Sequence, residues 1–249
     1  MKNLYLLLFA LCCAFVSCSK KNTAIDPIPI TETEKIPVDS FVVDFDLALK
    51  KSLIESGIIS ESQDGKVRYV DIKNIDSLNL SVEGHGNNMK GLEYFTNLRY
   101  LKIRGQQNAT NLTNRYYYAF PGFLVDSYVA PIDTLDVSKN LKLEYLDCSG
   151  DSDLGGYRSS IRNLVLGQNT LLTTLLANLC MIKSLDISGL VNLQNLEMAG
   201  CFSILTMRIC NNQKLNKVNS PHVKVLFLSS YNQINTKWNL DQPTYLLCK

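Results

Sequence analysis

Catalysis or metal binding would need nucleophiles, bases or ligands at short fixed spacings, and the chain offers few. Two histidines occur, His85 within Gly84-His85-Gly86-Asn87-Asn88 and His222 after Pro221. Neither has a Cys, His or carboxylate at metal-ligand spacing. There is no G-x-S-x-G, no phosphate-cradling glycine loop and no H-E-x-x-H. Ser60 to Asp71 has the outline of a calcium loop, with Asp64 at its position 5, Gly65 at 6, Val67 at 8 and Asp71 at 12. Ser60 and Ser62, however, stand where carboxylates belong, and Asp71 is shorter than the usual Glu. The stretch therefore reads as a tight turn at Gly65. Asp136 and Asp186 recur only because the pattern around them recurs, so they are no glycosidase acid–base pair. The expectation is a protein that is not an enzyme and holds neither metal nor cofactor.

What the residues do specify is a repeat. An apolar residue is followed three positions later by a second and two positions after that by a third. Frames run from Ile132-Leu135-Val137 through Leu143-Leu146-Cys148, Ile161-Leu164-Leu166, Leu172-Leu175-Ala177, Ile182-Leu185-Ile187, Leu193-Leu196-Met198 and Ile204-Met207-Ile209 to Val223-Leu226-Leu228. Leu215-Val218-Ser220 fits with a polar third position, and Ile75-Leu78-Leu80 and Leu98-Leu101-Ile103 extend the array upstream. From Leu164 to Val218 the middle anchors lie 10 or 11 residues apart, and every second one 21 or 22. That is the period of leucine-rich repeats. Residues i and i+2 of a strand share a face, and no single coil can bury its own apolar row. The expected fold is α/β to mainly β: a leucine-rich-repeat solenoid of short parallel strands, with about 21–22 residues per coil and an N-terminal helical cap. Leu164, Leu185 and Met207 are expected in one ladder, and Leu175, Leu196 and Val218 in the other.

The coil corners carry their own signals. Three residues beyond the third apolar position stand Asn140, Asn169 and Asn212 in one row, and Cys180 and Cys201 in the other. An Asn amide can satisfy backbone groups stranded inside a turn, and Cys fills the same space as a small, weakly polar residue. Leu135-Asp136-Val137-Ser138 and Leu185-Asp186-Ile187-Ser188 place Asp and Ser where a turn needs side-chain acceptors. Cys180 and Cys201 are expected as free buried thiols, because parallel ladder side chains hold their Cβ atoms apart.

Before the repeat the chain reads differently. Residues 1–17 form a signal peptide: Lys2 supplies the positive region, Leu4–Val16 the apolar run, and small Ser17 precedes Cys18. Phe15-Val16-Ser17-Cys18 resembles a bacterial lipobox with Phe in place of the usual Leu, which makes Cys18 the candidate lipidation site. Residues 18–40 are a lipidated tether with Lys20, Lys21, Pro27, Pro29 and Pro37, extended and with little to bury. Residues 41–74 are the cap, with Asp44 as expected helix N-cap, Phe45, Leu49 and Leu53 at four-residue spacing, and Gly57 as C′. No other segment reaches the length of a membrane-spanning helix. With 46% hydrophobic residues, 19% charged residues and a net charge of +2, the chain has no electrostatic footprint for nucleic acid.

The lipobox, the capping helix with its degenerate Asp-Gly loop, Gly91-Leu92-Glu93-Tyr94-Phe95-Thr96-Asn97-Leu98 and the Leu-Asp-x-Ser repeats resemble leucine-rich-repeat lipoproteins of Bacteroidota-type bacteria. The resemblance covers nearly everything after Cys18. It implies a cell-envelope location, as an outer-membrane lipoprotein facing the periplasm or the cell surface, and protein or glycan binding. It carries over no catalytic residues. Asp76-Ser77-Leu78 and Asp133-Thr134-Leu135 resemble O-glycosylation sites of such species, although the repeat consensus already explains both.

Residues 75–249 form the repeat domain, interrupted by an insertion at 106–131 and a shorter one at 151–160, and ended by a cap over 231–249 with Trp238 and Pro243. The long insertion crowds Tyr116, Tyr117, Tyr118, Phe120, Phe123 and Tyr128 into thirteen residues behind Arg115. These aromatics are candidate ligand contacts together with Tyr100 and Tyr145 on one outward row. The competing reading folds the insert back as a local cap over a solenoid edge. Two functions are expected on this basis: a membrane-anchored binding module presenting a repeat face to a protein or glycan, or a structural envelope lipoprotein without a free ligand.

Overall fold

The structure, a computed structural model, describes residues 41–42, 45–60, 67–82, 88–105, 115–120, 123–128, 132–150, 159, 161–235 and 237–248. At 41–42, 105, 115–120 and 123–128 it describes the backbone alone. The expected signal peptide and tether with Cys18, Asp44, the Asp-Gly loop at 61–66 and His85 lie outside the described residues.

The chain opens with β1 (Phe41–Val42) and α1 (Leu47–Glu55), followed by β2 (Val67–Arg68) and α2 (Tyr69–Ile72); β1 and β2 pair antiparallel. The N-cap of α1 is Asp46, not Asp44: its carboxylate accepts from the amides of Ala48 and Leu49 at 2.9 and 3.0 Å. Asp46 stands directly before the first helical residue, where its carboxylate meets those orphan amides. Leu49 and Leu53 are fully buried, and Gly57 takes the left-handed φ of +68° that ends the helix. Arg68 holds the Asp71 carboxylate in a two-pronged pair at 2.7 Å, so the last carboxylate of the loop already has a cation.

From there the chain winds as a solenoid. Row A is one continuous six-stranded parallel sheet made of β3 (Ser77–Val82), β4 (Tyr100–Gly105), β8 (Tyr145–Asp147), β10 (Thr174–Leu176), β12 (Asn195–Glu197) and β14 (Lys217–Asn219). Its register sets Leu78, Leu101, Leu146, Leu175, Leu196 and Val218 side by side. Between β4 and β8 the insertion contributes an antiparallel hairpin, β5 (Arg115–Phe120) with β6 (Phe123–Tyr128). Row B is made of β7 (Thr134–Asp136), β9 (Asn163–Val165), β11 (Ser184–Asp186), β13 (Thr206–Arg208), β15 (Val225–Leu228) and β16 (Thr244–Leu247).

Row B departs from the expected ladder. Leu164 pairs with Leu135, and Leu185 pairs with Met207, but β9 and β11 are not joined as strands. Their coils meet through the Met181 N–H, which donates to the Ile161 carbonyl at 3.0 Å, and through Gly189, where a Cβ would lie 3.1 Å from the Gly167 carbonyl. Leu164 is correspondingly only part-buried, whereas Leu135, Met207 and Leu226 are sealed.

Every inward anchor fills the same core, and burying each such side chain contributes roughly 1.5–3 kcal/mol. At the corners, side-chain donors cap backbone carbonyls that the turn strands inside, while the Asn amide oxygens themselves stay unpaired. Asn140 donates to the Leu92 and Phe95 carbonyls, Asn169 to Val137, and Asn212 to Ile187 and Leu190, all between 2.8 and 3.1 Å. In the other row the Cys180 thiol points at the Cys148 carbonyl and the Cys201 thiol at Ala177. Asp136, Asp147 and Asp186 each accept the amide two residues on, from Ser138, Ser149 and Ser188.

The last coil is closed by Trp238, by Asn239 bridging to Asn219, and by β16 in parallel register on β15. A disulfide joins Cys210 to Cys248 across a Cα separation of 6.3 Å, fastening the end of β16 to the array. The sequence reading did not anticipate it. Cys148, Cys180 and Cys201 are free and buried, as the parallel ladder requires. Among the described residues no helix is long and apolar enough to cross a membrane.

Candidate binding face

A solenoid strand of three residues turns its middle side chain inward and its flanks outward, so row A carries two outward columns, in which Asp147 alone is buried. One runs Ser77, Tyr100, Tyr145, Thr174, Asn195, Lys217, and the other Asn79, Lys102, Asp147, Leu176, Glu197, Asn219. The parallel register brings Tyr100 and Tyr145 onto neighbouring strands although they lie far apart in sequence. Their rings stack with centroids 5.4 Å apart and planes inclined by 22°. Tyr100 is 50% exposed. Tyr145 is half-covered; desolvation first, and then the Asp147 carboxylate, raise its phenol pKa above the ordinary value.

The residue before each tyrosine completes the step. Arg99 grips Glu144 with Nε and Nη2 at 2.8 and 2.9 Å. The hydrogen bonds and attraction within this pair raise the Arg99 pKa and lower that of Glu144. Both groups face solvent, so the pair serves more to fix geometry than to stabilise the fold. Farther along, Lys217 pairs with Glu197 at 2.5 Å; Glu197 also accepts from Asn219, whose carbonyl oxygen accepts in turn from Asn239. Asp147, almost fully buried, lies 3.9 Å from Arg104.

Tyr100 and Tyr145 are thus brought together, and the acid–base pairs around them were missed. Opposite charges at equivalent positions of successive coils, Arg99 with Glu144, were the signal that could have found them. Tyr116, Tyr117, Tyr118, Phe120, Phe123 and Tyr128 fall on the two strands of the hairpin, where Tyr116 is opposite Ser127, Tyr118 opposite Val125 and Phe120 opposite Phe123. Whether their rings cap or bind lies outside the described residues. The insertion leaves row A at the end of β4 and rejoins the array at β7, so it emerges from the C-terminal edge of the strand that carries Tyr100.

Row B presents a different surface. Arg208 reaches Asp186 at 3.8 Å and lies over the Phe227 ring at 4.8 Å, and Leu205 stands exposed. His222 stacks on Phe202 with ring centroids 4.3 Å apart. No group of three or more His, Cys, Asp or Glu side chains among the described residues could hold a metal ion.

No protein-family profile matches the chain, and no curated protein sequence does. Among solved structures it is similar to internalin C2 of Listeria monocytogenes, at 18% identity over 81% of this chain and 94% of that one, with a TM-score of 0.24. The fold rests on the chain's own geometry: apolar triplets at leucine-rich-repeat spacing, two rows of parallel strands, and Asn or Cys at the corners. This is a leucine-rich-repeat-like solenoid protein.

Proposed function

We propose that the protein is a membrane-anchored binding module, held in the cell envelope through a lipid on Cys18, that presents row A to a protein or glycan ligand. The single observation that carries this reading is the stacked, half-exposed Tyr100–Tyr145 pair on the one uninterrupted strand row, framed by the Arg99–Glu144 pair. Rings held between rigid strands offer contact area at little entropy loss, and large solenoid faces of this kind serve recognition. The direct test is capture of envelope or host-surface components by the immobilised protein, comparing the native chain with a Tyr100→Ala, Tyr145→Ala double variant. Selective loss of a captured component at unchanged melting temperature supports the reading. Identical capture by both proteins sinks it.

A further inference from the structure

Row A sorts its polar groups in a way that narrows the ligand. Its outward charges are largely spent on one another: Arg99 on Glu144, with Asp76 also drawing on it, Lys217 on Glu197, and Arg104 toward Asp147, while Lys102 is in no ion pair among the described residues. Its neutral groups are not spent. The side chains of Thr174 and Asn195, in register beyond Tyr145, make no hydrogen bond to any described residue, nor does the amide of Asn79 on the other column. A charged partner would have to break pairs already made, whereas an uncharged polar one meets donors and acceptors that stand free.

The aromatic step adds the second requirement. Stacking occupies one face of each ring, and the other side of Tyr100 is bordered in register by Ser77, too small to cover it. An uncovered phenol face beside free amides and hydroxyls suits a ring with apolar C–H faces and a hydroxyl rim. Consecutive strands repeat at about 4.8 Å, close to the length of one pyranose unit. A linear sugar laid across the strands would therefore meet one outward side chain per residue.

Building on the binding reading above, we propose that row A takes an uncharged, linear hexose-type oligosaccharide, with Tyr100 as its stacking platform and Thr174 and Asn195 as hydrogen-bonding positions farther along. The probes are cellohexaose and mannohexaose as neutral chains and hexagalacturonate as the anionic one, titrated into the purified protein by calorimetry at low and high salt. The expected result is saturable binding of at least one neutral chain that is insensitive to salt. Tyr100→Ala should weaken it about tenfold, the worth of one aromatic stack, and Asn195→Ala should also weaken it. Asp186→Asn on row B should leave it unchanged. If no neutral chain binds, or only hexagalacturonate binds and does so in a salt-sensitive way, the sugar assignment is overturned. In that event, a protein captured by the native chain and lost with Tyr100→Ala, Tyr145→Ala would leave row A standing as a protein-binding face, and equal capture by both would remove the binding reading too.

Discussion

Asn212 shows how much of this molecule rests on single side chains. Its amide donates to the carbonyls of Ile187 and Leu190 in the preceding coil, where no water reaches them. Asn212→Ala leaves both carbonyls unpaired, and denaturant melts should record a loss of about 1–3 kcal/mol; Lys214→Ala, at an exposed position two residues on, should stay within about 0.5 kcal/mol. The thiols make a second case. Hydrogen bonding to Cys148 and burial push the Cys180 thiol well above its ordinary pKa, and hydrogen bonding to Cys180 and burial do the same to Cys201. The folded state therefore keeps protons that the unfolded chain releases near pH 8.5, so it binds more of them and stability falls as pH rises above that point. Melting temperature should decline on the alkaline side less steeply in a Cys180→Ala, Cys201→Ala variant. Native protein should resist alkylation at these two positions at neutral pH.

At the scale of elements, the two rows were legible because strand period and repeat period coincide: Leu175, Leu196 and Val218 could be aligned by counting alone. Leu185→Asp or Leu196→Asp should unfold the array, seen as loss of the cooperative melt, since an unpaired charge cannot be held in that core. The cap helix was legible as well, but its first residue was not: choosing between Asp44 and Asp46 needs the path of the chain entering from β1. The Cys210–Cys248 bond was out of reach for another reason. Cys248 directly follows β16, whose Thr244-Tyr245-Leu246-Leu247 lacks the apolar triplet by which the other strands were recognised, so nothing placed it beside Cys210. Cys248→Ser should lower stability by about 2–4 kcal/mol and add a reactive thiol at Cys210, measured by melting and by mass after alkylation without reductant.

For the molecule as a whole, the sequence spoke clearly about architecture and weakly about contact chemistry. Periodicity constrains what points inward; what points outward is free to vary, and ion pairs such as Arg99–Glu144 become visible only when the coils are stacked. Attachment is testable without either: Cys18→Ala should release the protein from membranes and abolish incorporation of labelled fatty acid, and continued membrane attachment would refute the anchor. The gap between β9 and β11 has a mechanical meaning. Row A runs unbroken past the place where row B is interrupted. One side of the array is thus stitched and the other has a crease, the arrangement of a book bound along its spine. Amides of Ser184–Asp186 should exchange ahead of those of Thr206–Arg208. Bending of the array would open the pages at that crease, while the spacing from Tyr100 to Lys217 along the spine, and any ligand laid across it, stays unstretched.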